Sequence, residues 1–350
     1  MNVFKKVKYI DSISDTNHIT SIWIGGNWCC SCRGFRTHKK CKHLKGLMNE
    51  MTAYEIDDII NENAGKYYDS ALPGLNNIFE TKAYNTNEIS GVYGKPKVGK
   101  SLMCIQEACK LASDGKNILF LDTEGSIIPM IKQWVPVFEK RYGKRKGKIY
   151  VESKKSITNL MDYLGHQVKV NYKSKDKKGS SGKLEFSVIK STDDESAMDK
   201  DIKSKKIDFI MLDSLTSPLR EFTKEQQNYP ARADATAFIM RSFVKAQEDH
   251  DVGCLLTCHA SFNPANPYET MADATGGIVM HHYVKRLLYL DKRQASAYRD
   301  YRRFWLVRGE NAPEYSRCAV TKIDKEGYHD VTDKSELEGV FTLSEKNKLK

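Results

Sequence analysis

Eight residues constrain this chain more than any others. Gly94-Lys95-Pro96-Lys97-Val98-Gly99-Lys100-Ser101 fits the pattern G-x-x-x-x-G-K-[ST]. In a loop of this kind successive backbone N–H groups wrap an anion, the lysine reaches the outer phosphates of a nucleotide, and the Ser or Thr hydroxyl holds Mg²⁺. The flanks agree with that reading. Glu88 to Tyr93 reads as a strand entering the loop, and Leu102 to Ala112 as a helix leaving it with its positive end toward the phosphates. Gly94, Lys95, Pro96, Lys97, Val98, Gly99, Lys100, Ser101 and Leu102 are therefore the expected nucleotide-binding residues. ATP and Mg²⁺ are the expected cofactors.

Around this motif, strand and helix patterns alternate. Asn117 to Asp122, Ile207 to Asp213 and Val252 to Thr257 are short runs that are apolar on both faces, as the strands of a buried parallel sheet are. Ala231 to His250 reads as a long helix between the last two runs. Tyr283 to Leu290, Arg303 to Val307 and Cys318 to Ile323 read as antiparallel additions that close the sheet. The expected fold is α/β, a mostly parallel sheet flanked by helices, over residues 67–350. Ligands in such a sheet bind outside the carboxyl ends of the strands. Residues 169–206 break the pattern. Lysines there surround Gly179-Ser180-Ser181-Gly182, which reads as a basic insertion, either a solvated loop or a nucleic-acid contact.

Hydrolysis needs more than a phosphate cradle: a second anchor for Mg²⁺, a group to position water and a sensor of the γ-phosphate. Asp213 ends an apolar strand in Met211-Leu212-Asp213-Ser214 and suits the Mg²⁺ anchor beside Ser101. Glu124 follows another strand, expected to lie next to the strand of the phosphate loop, where a carboxylate orients or deprotonates water. Thr257 and His259 end the third strand and face the same crevice, with His259 placed to donate to the γ-phosphate. Glu124, Lys100 and His259 are the catalytic candidates.

Together these segments resemble the RecA-type recombinase ATPases, in particular the archaeal RadA and RadB branch. Ser70 to Asn76 resembles the family's lead-in, Leu121 to Gly125 its catalytic-glutamate segment, and Leu212 to Ser217 its Walker B segment. Gly276-Gly277, His281-His282 and Arg286-Leu287 resemble the end of its second DNA-binding loop. Val307 to Glu314 and Ile323 to Gly327 resemble its last strands and the cap that touches a neighbour's ATP. The resemblance covers residues 67–333 outside the insertion. It implies ATP-dependent binding of single-stranded DNA by a ring or filament. The first DNA loop would lie near Arg220 to Arg232 and the second between Ala260 and Gly277. Arg220, Lys224 and Arg232 would then meet phosphates, and Phe262 or Tyr268 would stack on bases. Two departures matter. Cys258-His259 stands where the family usually has Asn-Gln, as in the bacterial RadA branch. Residues 44–70 hold no Phe-x-x-Ala segment of the kind that links filament subunits. A homo- or hetero-oligomeric paralogue assisting a RadA-type recombinase fits better than a self-sufficient recombinase.

Residues 1–46 form a separate unit, with 47–66 as a linker or helix. Val7 to Ile10 and Ile19 to Ile24 read as short strands. Cys30-Ser31-Cys32 and Cys41-Lys42-His43 supply three thiolates and an imidazole within 14 residues, a closed tetrahedral zinc shell, with Cys29 as a competing ligand. So small a unit gains its folding energy from the metal. The spacing resembles the SWIM zinc finger, a DNA- or protein-docking module.

Charge and cysteine usage bound the rest. The formal charge of +11 favours a polyanionic partner. No apolar stretch approaches the roughly 18 residues of a membrane span, and no secretion signal is read at the start, so a cytoplasmic location, nucleoid-associated if archaeal, is expected. Nine cysteines in such a setting are not a disulfide framework, and Cys104, Cys109, Cys254 and Cys258 suit the core. The leading function is a DNA-dependent ATPase of recombination or repair. A KaiC-like regulatory ATPase acting on proteins and a non-catalytic ATP-binding mediator are the alternatives.

Overall fold

The computed structural model describes residues 8–10, 19–24, 27–30, 65–173, 183–191, 195–220, 229–261, 273–293, 296–309, 312–337, 339–347 and 349. Two compact units divide at Gly65 and Lys66. In the first, β1 (Lys8–Ile10), β2 (Ile19–Ile24) and β3 (Asn27–Cys30) form an antiparallel sheet in that order. Cys30 ends β3. Its side chain, together with Cys32, Cys41 and His43, lies outside the described residues.

The second unit opens with β4 (Tyr67–Tyr68), α1 (Pro73–Phe79) and β5 (Tyr84–Asn85), followed by β6 (Ile89–Gly94) and α2 (Lys100–Ser113) on either side of the phosphate loop. Then come β7 (Ile118–Asp122), α3 (Ile127–Tyr142), β8 (Ile149–Ser153), α4 (Ile157–Tyr163), and a hairpin of β9 (His166–Lys173) and β10 (Lys183–Ser191). The chain continues with α5 (Ala197–Lys205), β11 (Phe209–Asp213), α6 (Thr216–Leu219), α7 (Tyr229–His250), β12 (Gly253–Ser261), β13 (Asp273–Ala274) and α8 (Gly277–Tyr283). It ends with β14 (Val284–Asp291), β15 (Tyr301–Arg308), β16 (Cys318–Asp324), β17 (Gly327–Asp330), α9 (Lys334–Leu337) and α10 (Leu343–Lys346).

One large sheet organises the unit, in the order β17-β16-β15-β14-β6-β12-β11-β7-β8. Every pairing from β14 to β8 is parallel, and β15 to β17 add antiparallel. Two expectations are corrected here. β14 is a parallel neighbour of β6 rather than the first antiparallel addition, because α8 carries the chain back across the sheet before it. β7, which leads to Glu124, is separated from β6 by β12 and β11, so it does not lie next to the phosphate-loop strand.

The period of two along the strands explains the two-layered core. Leu119, Leu121, Ile210, Leu212 and Leu256 turn to one face, against Leu160, Ile202, Phe243 and Met280 of α4, α5, α7 and α8. Ile118, Phe120, Phe209, Met211 and Leu255 turn to the other, against Leu75, Met103, Ile105 and Phe138 of α1, α2 and α3. Residues apolar at every position thus find helices on both sides. Cys104, Cys109, Cys254 and Cys258 are buried free thiols. The stretch read as an insertion contains the basic hairpin, but also α5. A capping box of Ser196 and Asp199 starts α5, and its Met198 and Ile202 join the core. No helix of the described residues is long and apolar enough to cross a membrane.

Candidate nucleotide site

Two glycines let the loop follow its path. A Cβ at Gly94 would meet the Leu290 carbonyl oxygen of β14 at 2.2 Å. At Gly99, φ is +116° and a Cβ would fall 2.2 Å from the Tyr328 hydroxyl. The antiparallel strands brace the loop from that side. Arg302 Nε donates to the Val98 carbonyl at 2.7 Å, and the Tyr328 hydroxyl lies 3.5 Å from the same oxygen. Gly99 is the N-cap of α2, and no side chain caps the helix, so its first N–H groups are left for an anion.

Lys100 is buried, its Nζ donating to the carbonyls of Gly94 at 2.9 Å and Lys95 at 3.0 Å. Burial pulls its pKa down, and the Asp213 carboxylate opposes that shift. Asp213 ends β11 at 1% exposure. Its Oδ1 accepts from Thr257 Oγ1 at 2.5 Å, whereas its Oδ2 has no hydrogen-bond partner. Burial pushes the carboxyl up, and the nearby hydroxyls of Ser101 and Thr257 work against it. A buried carboxylate with an orphaned oxygen, beside the Ser101 hydroxyl, is a fitting pair of oxygen donors for a hard divalent cation.

Glu124 is presented by a turn that Asp122 builds. Asp122 Oδ1 accepts from the N–H groups of Glu124 at 3.1 Å and Gly125 at 2.7 Å, and Oδ2 accepts from Ile127 at 3.3 Å. Thr123 ties this turn to β11: its hydroxyl donates to the Ser214 carbonyl at 2.7 Å and accepts from the Ser214 N–H at 2.8 Å. Ser214 Oγ in turn donates to Glu124 Oε1 at 2.8 Å. Glu124 therefore reaches the cleft from a strand that β12 and β11 separate from β6.

His259 sits on β12, two residues beyond Thr257 and on the same face. β12 runs on to Ser261, so neither residue ends the strand. The His259 N–H donates to Thr216 Oγ1 at 2.8 Å. Its Nε2 lies 3.4 Å from Glu124 Oε1, and its Nδ1 lies 3.4 Å from an Arg220 guanidinium nitrogen. An arginine can only donate, so Nδ1 accepts and the proton sits on Nε2, facing Glu124. This contact is the main force holding the Glu124 carboxyl down at about 2; Ser214 adds to it and burial opposes it.

These residues line one cleft of about 360 Å³. Pro96, Lys97, Gly99, Lys100, Ser101 and Leu102 meet Glu124, Asp213 and His259 there, with Met130 and Arg220. Asp122, Thr123, Ser214, Arg302 and Met130 carry no site role in the sequence pattern, which places Thr257 in the crevice without a partner. Thr123, Ser214, Thr257 and Arg302 hold neighbours distant in sequence, which no local motif announces, whereas Asp122 shapes its own turn. The candidate DNA residues are not brought together in the same way. Arg220 faces the nucleotide cleft. Arg232 lies in the first turn of α7, so the first loop ends before it. The second loop is shorter than expected, since β13 pairs with Ala260 and Ser261 of β12. Lys224, Phe262 and Tyr268 lie outside the described residues. Among the described residues no group of three or more His, Cys, Asp and Glu is placed to hold a metal ion.

No family model matches the chain. A segment of 46 residues, 13% of the chain, is 48% identical to the DNA repair and recombination protein RadB of Methanococcus maripaludis strain C5, and covers 21% of that protein. The RadB of M. maripaludis strain DSM 14266 is similar to the same extent. The matched segment spans about a fifth of the length of these curated relatives.

Proposed function

We propose that this chain is a RecA-type ATPase that binds single-stranded DNA in recombination or repair and assists a RadA-type recombinase. One observation carries the reading. Lys100, Ser101, Asp213, Glu124 and His259, contributed by the phosphate loop, the end of β11, the turn after β7, and β12, line a single cleft at the carboxyl end of a parallel sheet. The partial likeness to RadB proteins supports the DNA repair setting.

In this proposal the N–H groups of residues 97–101 bind the phosphates, and Lys100 leaves the Gly94 and Lys95 carbonyls to reach them. Ser101 and Asp213 would hold Mg²⁺, which would supply positive charge to offset the negative charge of the phosphates. Glu124 orients the attacking water. With its carboxyl at about 2 it is a poor proton acceptor, so it becomes an effective base only when His259 turns its Nε2–H elsewhere, and the γ-phosphate oxygens are the natural acceptor. Cys30, Cys32, Cys41 and His43 are proposed to hold zinc, on their spacing alone. The restrained Glu124 also favours a second reading, a mediator that binds ATP and turns it over slowly.

ATP turnover with and without single-stranded DNA across a salt series tests the proposal. Stimulation that fades as salt rises is expected. Turnover indifferent to DNA at low salt would favour a regulatory ATPase acting on protein partners.

A further inference from the structure

The starts of the parallel strands, opposite the nucleotide cleft, carry a feature that hydrolysis does not use. Six of the nine residues from 140 to 148 are cationic: Lys140, Arg141, Lys144, Arg145, Lys146 and Lys148. All six are exposed. The helix dipole accounts for Lys140 and Arg141 in the last turn of α3. That effect fades within a turn and does not account for the lysines beyond it.

The segment is held in place by its backbone. The N–H groups of Lys146 and Gly147 both donate to the Ala112 carbonyl, at 3.0 and 2.8 Å, and Ile118 N–H donates to the Lys148 carbonyl at 2.8 Å. Gly147 packs so closely that a Cβ there would lie 2.0 Å from the Lys116 carbonyl oxygen. Asn117 then joins three strand starts. Its Oδ1 accepts from Lys148 N–H at 2.9 Å, and its Nδ2 donates to the carbonyls of Lys205 at 3.1 Å and Lys206 at 3.0 Å. Ile118, Ile149 and Phe209 begin β7, β8 and β11 in register, so Lys116, Lys148 and Lys206 come to one end of the sheet.

The nearby carboxylates are already engaged. Glu139 pairs with Arg145, Asp114 with Lys110, and Asp208 accepts from the Asn117 N–H. Among the described residues, no carboxylate lies within ion-pair distance of Lys140, Lys144, Lys146, Lys148 or Lys206. A fixed cluster of like charges this dense repels itself and is relieved by a polyanion.

We infer that this end of the sheet is a second nucleic-acid surface, which binds the phosphate backbone of duplex DNA. The absence of a stacking platform in the run selects the duplex over a single strand. Tyr142, its one aromatic, is half-buried, with its hydroxyl bonded to Gln106 and Arg141 over its ring. Lysines without base-reading partners give a contact independent of sequence and steeply dependent on salt. The inference goes beyond the proposed ATPase and stands whether or not ATP is hydrolysed.

The test is equilibrium binding of the full chain to a blunt duplex of about 20 base pairs and to a single strand of equal length, each across a salt series. The variant carries Lys140→Gln, Lys144→Gln, Lys146→Gln and Lys148→Gln, and a Lys→Arg set at the same positions is the control. In the Gln variant, duplex affinity should fall at least tenfold near 0.1 M salt, and the slope of log affinity against log salt should shrink by about 3.6, about 0.9 for each of the four lost phosphate contacts. Binding to the single strand and its stimulation of turnover should be unchanged, and the Arg set should bind duplex as the parent does. Unchanged duplex affinity and slope in the Gln variant would overturn the inference. So would a loss on single strand equal to that on duplex.

Discussion

The two ends of the central sheet are built from the same strands on opposite physical principles. At the carboxyl ends of β7, β11 and β12, a few polar side chains are buried and each is held by a named partner. At the starts of β7, β8 and β11, many cations are exposed and only their backbone is fixed. The first arrangement concentrates function in single atoms, and the second spreads it over redundant charges. Substitutions should therefore be severe and individual at one end, mild and cumulative at the other.

The largest effect is expected at Asp213. Asp213→Asn keeps the shape of the site but removes the buried charge beside Ser101 and Lys100, and turnover should fall on the order of 10²–10³-fold, read as phosphate release. Next is Arg302→Ala. Losing the bond to the Val98 carbonyl should loosen the phosphate loop and weaken ATP binding roughly tenfold, about 1.4 kcal/mol, read by calorimetry. His259→Ala should then move a titration rather than a binding constant. Glu124 is held at about 2 mainly by His259, so its pKa should rise toward the usual value near 4.5, followed by carboxyl NMR. The smallest effect belongs to the far end. Lys144→Gln alone should change duplex affinity less than threefold and leave turnover untouched. A tenfold loss from that one substitution would mean that the surface is a specific site and would break the contrast.

A buried group between these regimes gives a stability test. Glu107 of α2 is fully buried, accepts from Ser70 Oγ at 2.5 Å and from the Ala71 N–H at 2.7 Å, and is pushed up to about 7 by burial. Its folded pKa lies above its unfolded value near 4.5, so the folded state binds the proton more tightly. Its contribution is full below about pH 4.5 and is lost as pH rises through 7. Glu107→Gln should therefore gain thermal stability relative to the parent between pH 5 and pH 8, seen by melting at both values.

The sequence displayed the phosphate loop, both its flanks and the strands β7, β11 and β12, because these are local patterns of glycine placement and apolar runs. It hid α3 because Pro136 lies within it. A proline removes a helix bond, yet Ile127, Val135 and Phe138 pack firmly enough to keep the helix intact. Strand order was hidden too, since neighbours in a parallel sheet are decided by crossovers, and so Glu124 was expected beside β6. The network of Thr123, Ser214 and Thr257 was illegible for a related reason: it joins residues 44 to 91 positions apart. The basic run 140–148 was in plain view, but only the bonds of Asn117 turn it into a surface shared by three strands.

The most direct test compares ATP binding and phosphate release in the parent, Lys100→Ala and Glu124→Gln, with saturating single-stranded DNA. The parent should bind and hydrolyse ATP. Lys100→Ala should lose both activities, and Glu124→Gln should bind as the parent does while hydrolysis falls at least a hundredfold, a barrier increase of about 2.7 kcal/mol. Hydrolysis at the parental rate in Glu124→Gln would contradict the assignment of this cleft as a hydrolytic centre and leave it as a nucleotide-binding one.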